Sequence, residues 1–205
     1  MATHSTSNKV PSHAFDRVRV GAHLRQARKE RGLTLQALSK RSGVALSTLS
    51  KIELGQISVS YDKLGAVAHA LGIDIARLFN PGLGSSSSTG RKAPVVVRST
   101  LEDAPGYAGQ NYDYLMLATE FPDRRMTPLY GRITARKVAD FPDFVRHAGQ
   151  EFVLVLAGSV RIHFETGEEI ALKAQESAYF DSGVGHVYLS TSRVDARVMI
   201  VMSEG

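Results

Sequence analysis

Residues 32–56 read GLTLQALSKRSGVALSTLSKIELGQ, and this stretch decides how the first half of the chain folds. Thr34 is a residue type that caps helix starts. Residues 35–42 follow it with Leu35 and Leu38 inward. Gly43 interrupts at the point where a tight turn needs a positive φ. Residues 46–54 then resume the helical spacing, with Leu49 and Ile52 inward and Gly55 as the stop. Val44, Leu49 and Ile52 form one buried face, and the small Ser39 sits where the two helices cross.

Reading outward, residues 17–31 place Val20, Leu24 and Ala27 on one side and Arg25, Arg28, Lys29 and Arg31 around the other. Gly32 ends that helix. A further helix is expected over about Tyr61 to Leu71, carrying Leu64, Val67, Ala68 and Leu71. A last short one spans 74–79, with Asp74 as cap and Leu78 and Phe79 as anchors. Five helices therefore fill residues 16–79. Residues 1–15 are polar and aperiodic and read as a flexible arm. Residues 80–92, NPGLGSSSSTGRK, carry a helix-stopping proline and four serines between glycines, and read as a linker.

The rhythm changes over residues 93–205. Alternating runs appear at 95–99, 112–119, 130–138, 152–158, 159–165, 177–181 and 196–202. Many short strands of period two predict an all-β sandwich or barrel. The fold class is thus an α + β two-domain chain.

Charge divides along the same line. The 205 residues hold 25 Lys/Arg and 20 Asp/Glu, a net +5. Residues 1–80 contain 12 basic and 5 acidic side chains; residues 81–205 contain 13 and 15. The helical half alone is basic, as a polyanion-binding module requires. There is no cysteine, which excludes disulfides, thiolate zinc sites and thiol nucleophiles. No apolar run approaches the length of a membrane span and the N-terminus has no signal-like apolar core, so a cytoplasmic protein is expected.

The spacing of residues 35–54 is that of a helix-turn-helix, whose short turn sets the second helix steeply enough to enter the major groove. The stretch 32–56 resembles the XRE family, the phage-repressor-like helix-turn-helix proteins. It shares their Gly-Leu-Thr opening, Ser-Gly-Val turn, Ser-Thr-Leu-Ser run and Ile-Glu-x-Gly ending. The resemblance covers about residues 18–79. It implies that Leu46, Ser47, Thr48 and Lys51 face the groove, with Ser50 on the same crowded surface. Gln36, Lys40, Gln56 and Ser58 are placed for phosphates. The resemblance also makes Arg28 and Glu53 a structural ion pair rather than a DNA contact. Two departures stand out: Leu35 replaces a common polar residue, and Ala45 replaces a common capping Ser or Thr. One such module reads only a few base pairs, so a homodimer on double-stranded DNA is expected.

In the second half, HAGQEFVLVLAG places His147, Gly149 and Glu151 on one side of an expected strand, and ESAYFDSGVGHVYLS brings in His186 after a turn. This pattern is similar to the cupin family over about residues 110–203. His147, Glu151, Gly158 and His186 match its motifs, while Val145 replaces the first metal-binding His. The resemblance implies a jelly-roll barrel with a site at His147, Glu151 and His186, for a divalent metal or a small-molecule effector. Tyr114, Met116, Arg132, Phe152, Leu154, Tyr179 and Tyr188 are candidates for its lining. Together the two resemblances imply a DNA-binding transcriptional regulator whose cupin domain senses a ligand, and not an enzyme. The alternatives are a cupin-type metal-dependent dioxygenase or isomerase with a DNA-binding head, and a ligand-free architectural dimer.

Overall fold

The computed structural model describes residues 17–79, 94–122 and 124–203. The expected arm (1–15) and linker (80–92) lie outside the described residues.

Five helices are described: α1 (Arg17–Glu30), α2 (Leu35–Ser42), α3 (Leu46–Glu53), α4 (Tyr61–Ala70) and α5 (Ala76–Phe79). The Thr34 hydroxyl accepts the Ala37 N–H at 3.1 Å and starts α2. Gly43 has φ +71°, and its N–H donates to the Ser39 carbonyl at 3.0 Å. That left-handed residue lets α3 leave α2 within three residues. Leu24, Leu38, Leu49, Ile52, Leu64 and Val67 meet in a closed core. Gly21 lets α1 lie against the end of α3: a Cβ there would sit 2.2 Å from the Ile52 carbonyl oxygen. Beside this contact, Arg28 grips Glu53 through Nε at 2.6 Å and Nη2 at 2.8 Å, and gives Nη1 to the Leu33 carbonyl at 2.8 Å. Asp74 caps the last helix as expected, its Oδ1 accepting the Ala76 N–H at 2.7 Å, and α5 itself runs from Ala76.

Nine strands follow among the described residues: β1 (Gly106–Ala108), β2 (Tyr112–Met116), β3 (Met126–Ile133), β4 (Gln150–Ala157), β5 (Ser159–Phe164), β6 (Glu169–Lys173), β7 (Ser177–Asp181), β8 (His186–Ser190) and β9 (Ala196–Ser203). They form a six-stranded sheet, β1-β2-β3-β9-β4-β7, and a three-stranded sheet, β6-β5-β8. Every pairing is antiparallel. Val153, Val155 and Ile200 of the larger sheet share one core with Val160, Ile162 and Tyr188 of the smaller. No closed barrel is present among the described residues.

Some strand positions differ from the sequence reading. Residues 95–99 form no strand, and Val95 and Val96 are 89% and 81% exposed. A β-prone run without a neighbour to pair has no ladder to join. The expected 130–138 strand lies at 126–133 instead, set by its register on β9, where Met126 faces Ser203 and Ile133 faces Ala196. β1 is only three residues long and β6 is mostly exposed, so neither carries the alternation that marks a half-buried strand.

Gly21→Ala is expected to lower the stability of the helical domain by about 3 kcal/mol, since backbone and not a flexible side chain opposes the new methyl. Thermal unfolding followed by helical circular dichroism measures this.

Candidate functional site

The helical domain presents its candidate DNA surface on α3 and the segments beside it. Leu46, Ser47 and Lys51 are exposed; Thr48 and Ser50 are half-buried on the same helix. Gln36, Lys40 and Gln56 are exposed and Ser58 is half-buried. Ala45, at the start of α3, makes no side-chain cap bond.

The second site is built where three chain segments converge. Glu151 enters on β4 and His186 heads β8. His147 does not share a strand with Glu151 as the alternation predicted, because β4 begins only at Gln150. A turn through Gly149 (φ +95°) brings it back instead, pressed against β9 so closely that a Cβ would lie 2.3 Å from the Ser203 carbonyl oxygen. The His147 N–H donates to the Ser182 carbonyl at 3.1 Å. Val145 and His186 exchange two backbone hydrogen bonds at 2.9 and 3.1 Å. The sharp turn and the bridge thus place His147 Nε2 2.8 Å and His186 Nε2 3.6 Å from the same Glu151 oxygen, Oε2.

Glu151 is 2% exposed. Burial pushes its carboxyl up, but hydrogen bonds from His147 and His186, together with their charge, outweigh it and hold the carboxyl at about 2. Its other oxygen, Oε1, accepts from the Tyr188 hydroxyl. Burial and the adjacent carboxylate push that phenol well above its ordinary value, so it stays a donor. His186 Nδ1 lies 2.9 Å from the Val184 carbonyl and His147 Nδ1 3.4 Å from that of Ala148. Those carbonyls can hold the Nδ1 protons, while each Nε2 donates to the carboxylate or, without its proton, offers its lone pair to a cation seated beside that carboxylate. The three groups offer ligand atoms all within 4.8 Å of one another.

These residues close one end of a small cavity of about 30 Å³. Tyr61, Tyr112, Tyr114, Leu129, Val145, Ile200 and Met202 complete its lining. Of the expected lining residues, Tyr114 and Tyr188 are there. Arg132, Phe152, Leu154 and Tyr179 are not, and strand parity is the reason. Phe152 and Leu154 alternate with the inward Glu151, Val153 and Val155, so they face outward. Tyr179 pairs with Phe152 and is 65% exposed. Arg132 turns outward to Asp113, with Nε at 2.8 Å from Oδ2. Met116 is buried on the cavity side of β2 yet stands outside the lining. The same parity could have found Tyr112, which shares a face with Tyr114. Nothing in the sequence signals Tyr61.

The helical unit and the strand-built site define a two-part regulator, and comparison with known proteins agrees. Residues 24–78 match the helix-turn-helix family model and residues 136–202 match the cupin domain model. The chain is a DNA-binding transcriptional regulator of the helix-turn-helix type with a cupin domain. It is 21% identical over 179 residues to the HTH-type transcriptional regulator PuuR of Escherichia coli (strain K12), covering 87% of this chain and 91% of that one. A solved HTH_3 family transcriptional regulator from Vibrio cholerae has the same fold at TM-score 0.60 and 18% identity, covering 95% of this chain and 99% of that chain. Hydroxypropylphosphonic acid epoxidase from S. wedmorenis aligns more loosely, at TM-score 0.46 and 21% identity over 93% of this chain and all of that one. No helix among the described residues is long and apolar enough to cross a membrane.

Tyr188→Phe leaves Glu151 Oε1 without that donor in a buried site. We expect a loss of about 2 kcal/mol in stability, the magnitude typical of a hydrogen bond to a charged group, read as a lower unfolding midpoint in denaturant.

Proposed function

We propose that the cupin domain senses a ligand at His147, Glu151 and His186 and sets how tightly the helix-turn-helix domain holds double-stranded DNA. The observation that carries this reading is the convergence of two imidazole nitrogens and one buried, ionised carboxylate at the end of a cavity. Three such donors suit a divalent cation, and a two-His, one-carboxylate set leaves coordination positions open for an organic effector. The donor set fits the metal: His147 and His186 supply nitrogen, Glu151 supplies oxygen, and Val145 fills the place of a further imidazole with an apolar wall. When bound, a divalent ion would supply positive charge and open coordination positions. The chain's own residues hold the donors in place: Tyr188 orients the carboxylate, and the Val184 carbonyl orients the His186 ring.

The proposed protein works in the cytoplasm, as a homodimer, and without turnover. Pairing would match the two-fold operators that helix-turn-helix modules read. The outward face of the six-stranded sheet, with Phe152, Leu154, Leu156, Met199 and Val201 partly exposed, supplies apolar area for it. On α3, Thr48 and Lys51 are the proposed groove contacts, flanked by Leu46, Ser47 and Ser50. Gln36, Lys40, Gln56 and Ser58 are the proposed phosphate contacts.

Elemental analysis of chelator-free protein is expected to find about one divalent ion per subunit in the wild type and none in His147→Ala. Metal-free wild type after incubation with divalent ions would exclude the metal and leave an organic effector on the same donors. Thr48→Ala with Lys51→Ala is expected to weaken operator binding by at least about tenfold in a gel-shift titration while leaving the melting curve unchanged. Operator affinity equal to wild type would overturn the α3 assignment. Binding should also fall steeply with added salt, because phosphate contacts release counterions.

A further inference from the structure

One part of the cavity wall does not come from the cupin domain. Tyr61, the first residue of α4, stands in it beside Tyr112 and Tyr114. Its ring meets Tyr114 edge to face, with centroids 5.5 Å apart. Tyr114 meets Tyr112 at 5.8 Å, and Tyr112 meets Tyr188 at 6.2 Å. The Tyr112 hydroxyl accepts the Tyr188 N–H at 2.6 Å, and the Tyr188 hydroxyl donates to Glu151. A row of four tyrosine rings therefore runs from the buried carboxylate to the start of α4.

The chain on either side of Tyr61 is tied to the strands. Two residues earlier, the Val59 N–H donates to the buried Tyr107 hydroxyl on β1. The Tyr107 ring in turn meets Phe79 of α5 at 6.0 Å. Asp74 takes Arg124 Nη2 at 2.8 Å on both oxygens while it caps α5. Only residues 54–60 separate α3 from Tyr61, and they include Gln56 and Ser58, two of the candidate phosphate contacts. An interior packed with rings yields in discrete steps rather than continuously.

We propose that Tyr61 reports cavity occupancy to the DNA-binding domain. A ligand seated at Glu151 displaces the Tyr61 ring, frees Val59 from Tyr107 and shifts residues 54–60 with their phosphate-facing side chains. This rests on the sensing reading above and adds the residue that carries the signal. The bistable element is the segment 54–64, seated on or released from the strands, and both the cavity and the DNA bias it.

Hydrogen–deuterium exchange on the full-length protein tests this in two arms. In the first, Val145→Phe fills the cavity from within and needs no external ligand; Val145→Leu is a milder filling should the larger ring prevent folding. Amides 59–64 are expected to exchange about tenfold faster than in the wild type, within the ordinary range of coupling between sites. With Tyr61→Leu added, the same filling should leave those amides at the rate of Tyr61→Leu alone. In the second arm, divalent cobalt alone is added to wild type and to Tyr61→Leu. Equal metal content in both, with faster exchange at 59–64 only where the Tyr61 ring is present, supports the proposal. Unchanged exchange at 59–64 in a folded filled variant overturns it, as does an equal response with and without the ring. A response to filling but none to cobalt sustains the role of Tyr61 and removes the metal reading alone.

Discussion

A carboxylate cut off from water must be matched by donors and positive charge, or it takes up a proton. Glu151 meets that requirement with two imidazoles on one oxygen and a phenol on the other. Much of the strand half is arranged to allow it. Gly149 turns His147 back, the Val145–His186 bridge fixes the head of β8, and Tyr112 accepts the backbone N–H of Tyr188. The donors around Glu151 point at one place because the backbone gives each of them a single orientation. An isolated ionised side chain on one strand would have had no such company and would have remained at the surface.

The same constraint reaches the helical half through packing rather than charge. The rings of Tyr112 and Tyr114 line the cavity on one side and present an edge to Tyr61 on the other. The seam between helices and strands is anchored by two polar contacts of low exposure. Val59 gives its N–H to Tyr107, and Arg124, with 4% of its side chain exposed, is held by Asp74. Breaking either strands a buried polar group, so the seam resists sliding. The helical domain has a separate lock of its own, in the Gly21 close approach and the Arg28–Glu53 pair. That lock keeps α3 rigid on α1, so a displacement at α4 acts on the segment between α3 and α4 before it deforms α3.

The helical half was legible because its signals are local. A cap at Thr34, a left-handed glycine at 43 and leucines at helical spacing each act within one turn of chain. α2 falls on the expected residues, and α1, α3 and α4 end within one residue of them. The strand half was legible in kind but not in detail. Strand parity fails between His147 and Glu151, where a turn intervenes, and holds for Phe152 and Leu154. Applied to β4 throughout, it would have sent Phe152 and Leu154 outward with Tyr179. The 95–99 run shows the other failure: three consecutive valines make β-structure only when another strand offers hydrogen bonds.

By itself the sequence determined two domains, the basic character of the first, the helix-turn-helix and the three residues that converge on the candidate site. Those properties follow from periodicity, composition and motif spacing, which are carried by neighbours along the chain. Tertiary structure alone decided which side chains line the cavity and that one of them, Tyr61, comes from the other domain. It also decided that Arg124 and Tyr107 join the two halves. Contacts between residues about fifty positions apart depend on how two finished surfaces meet, and that meeting leaves no periodic trace in either segment.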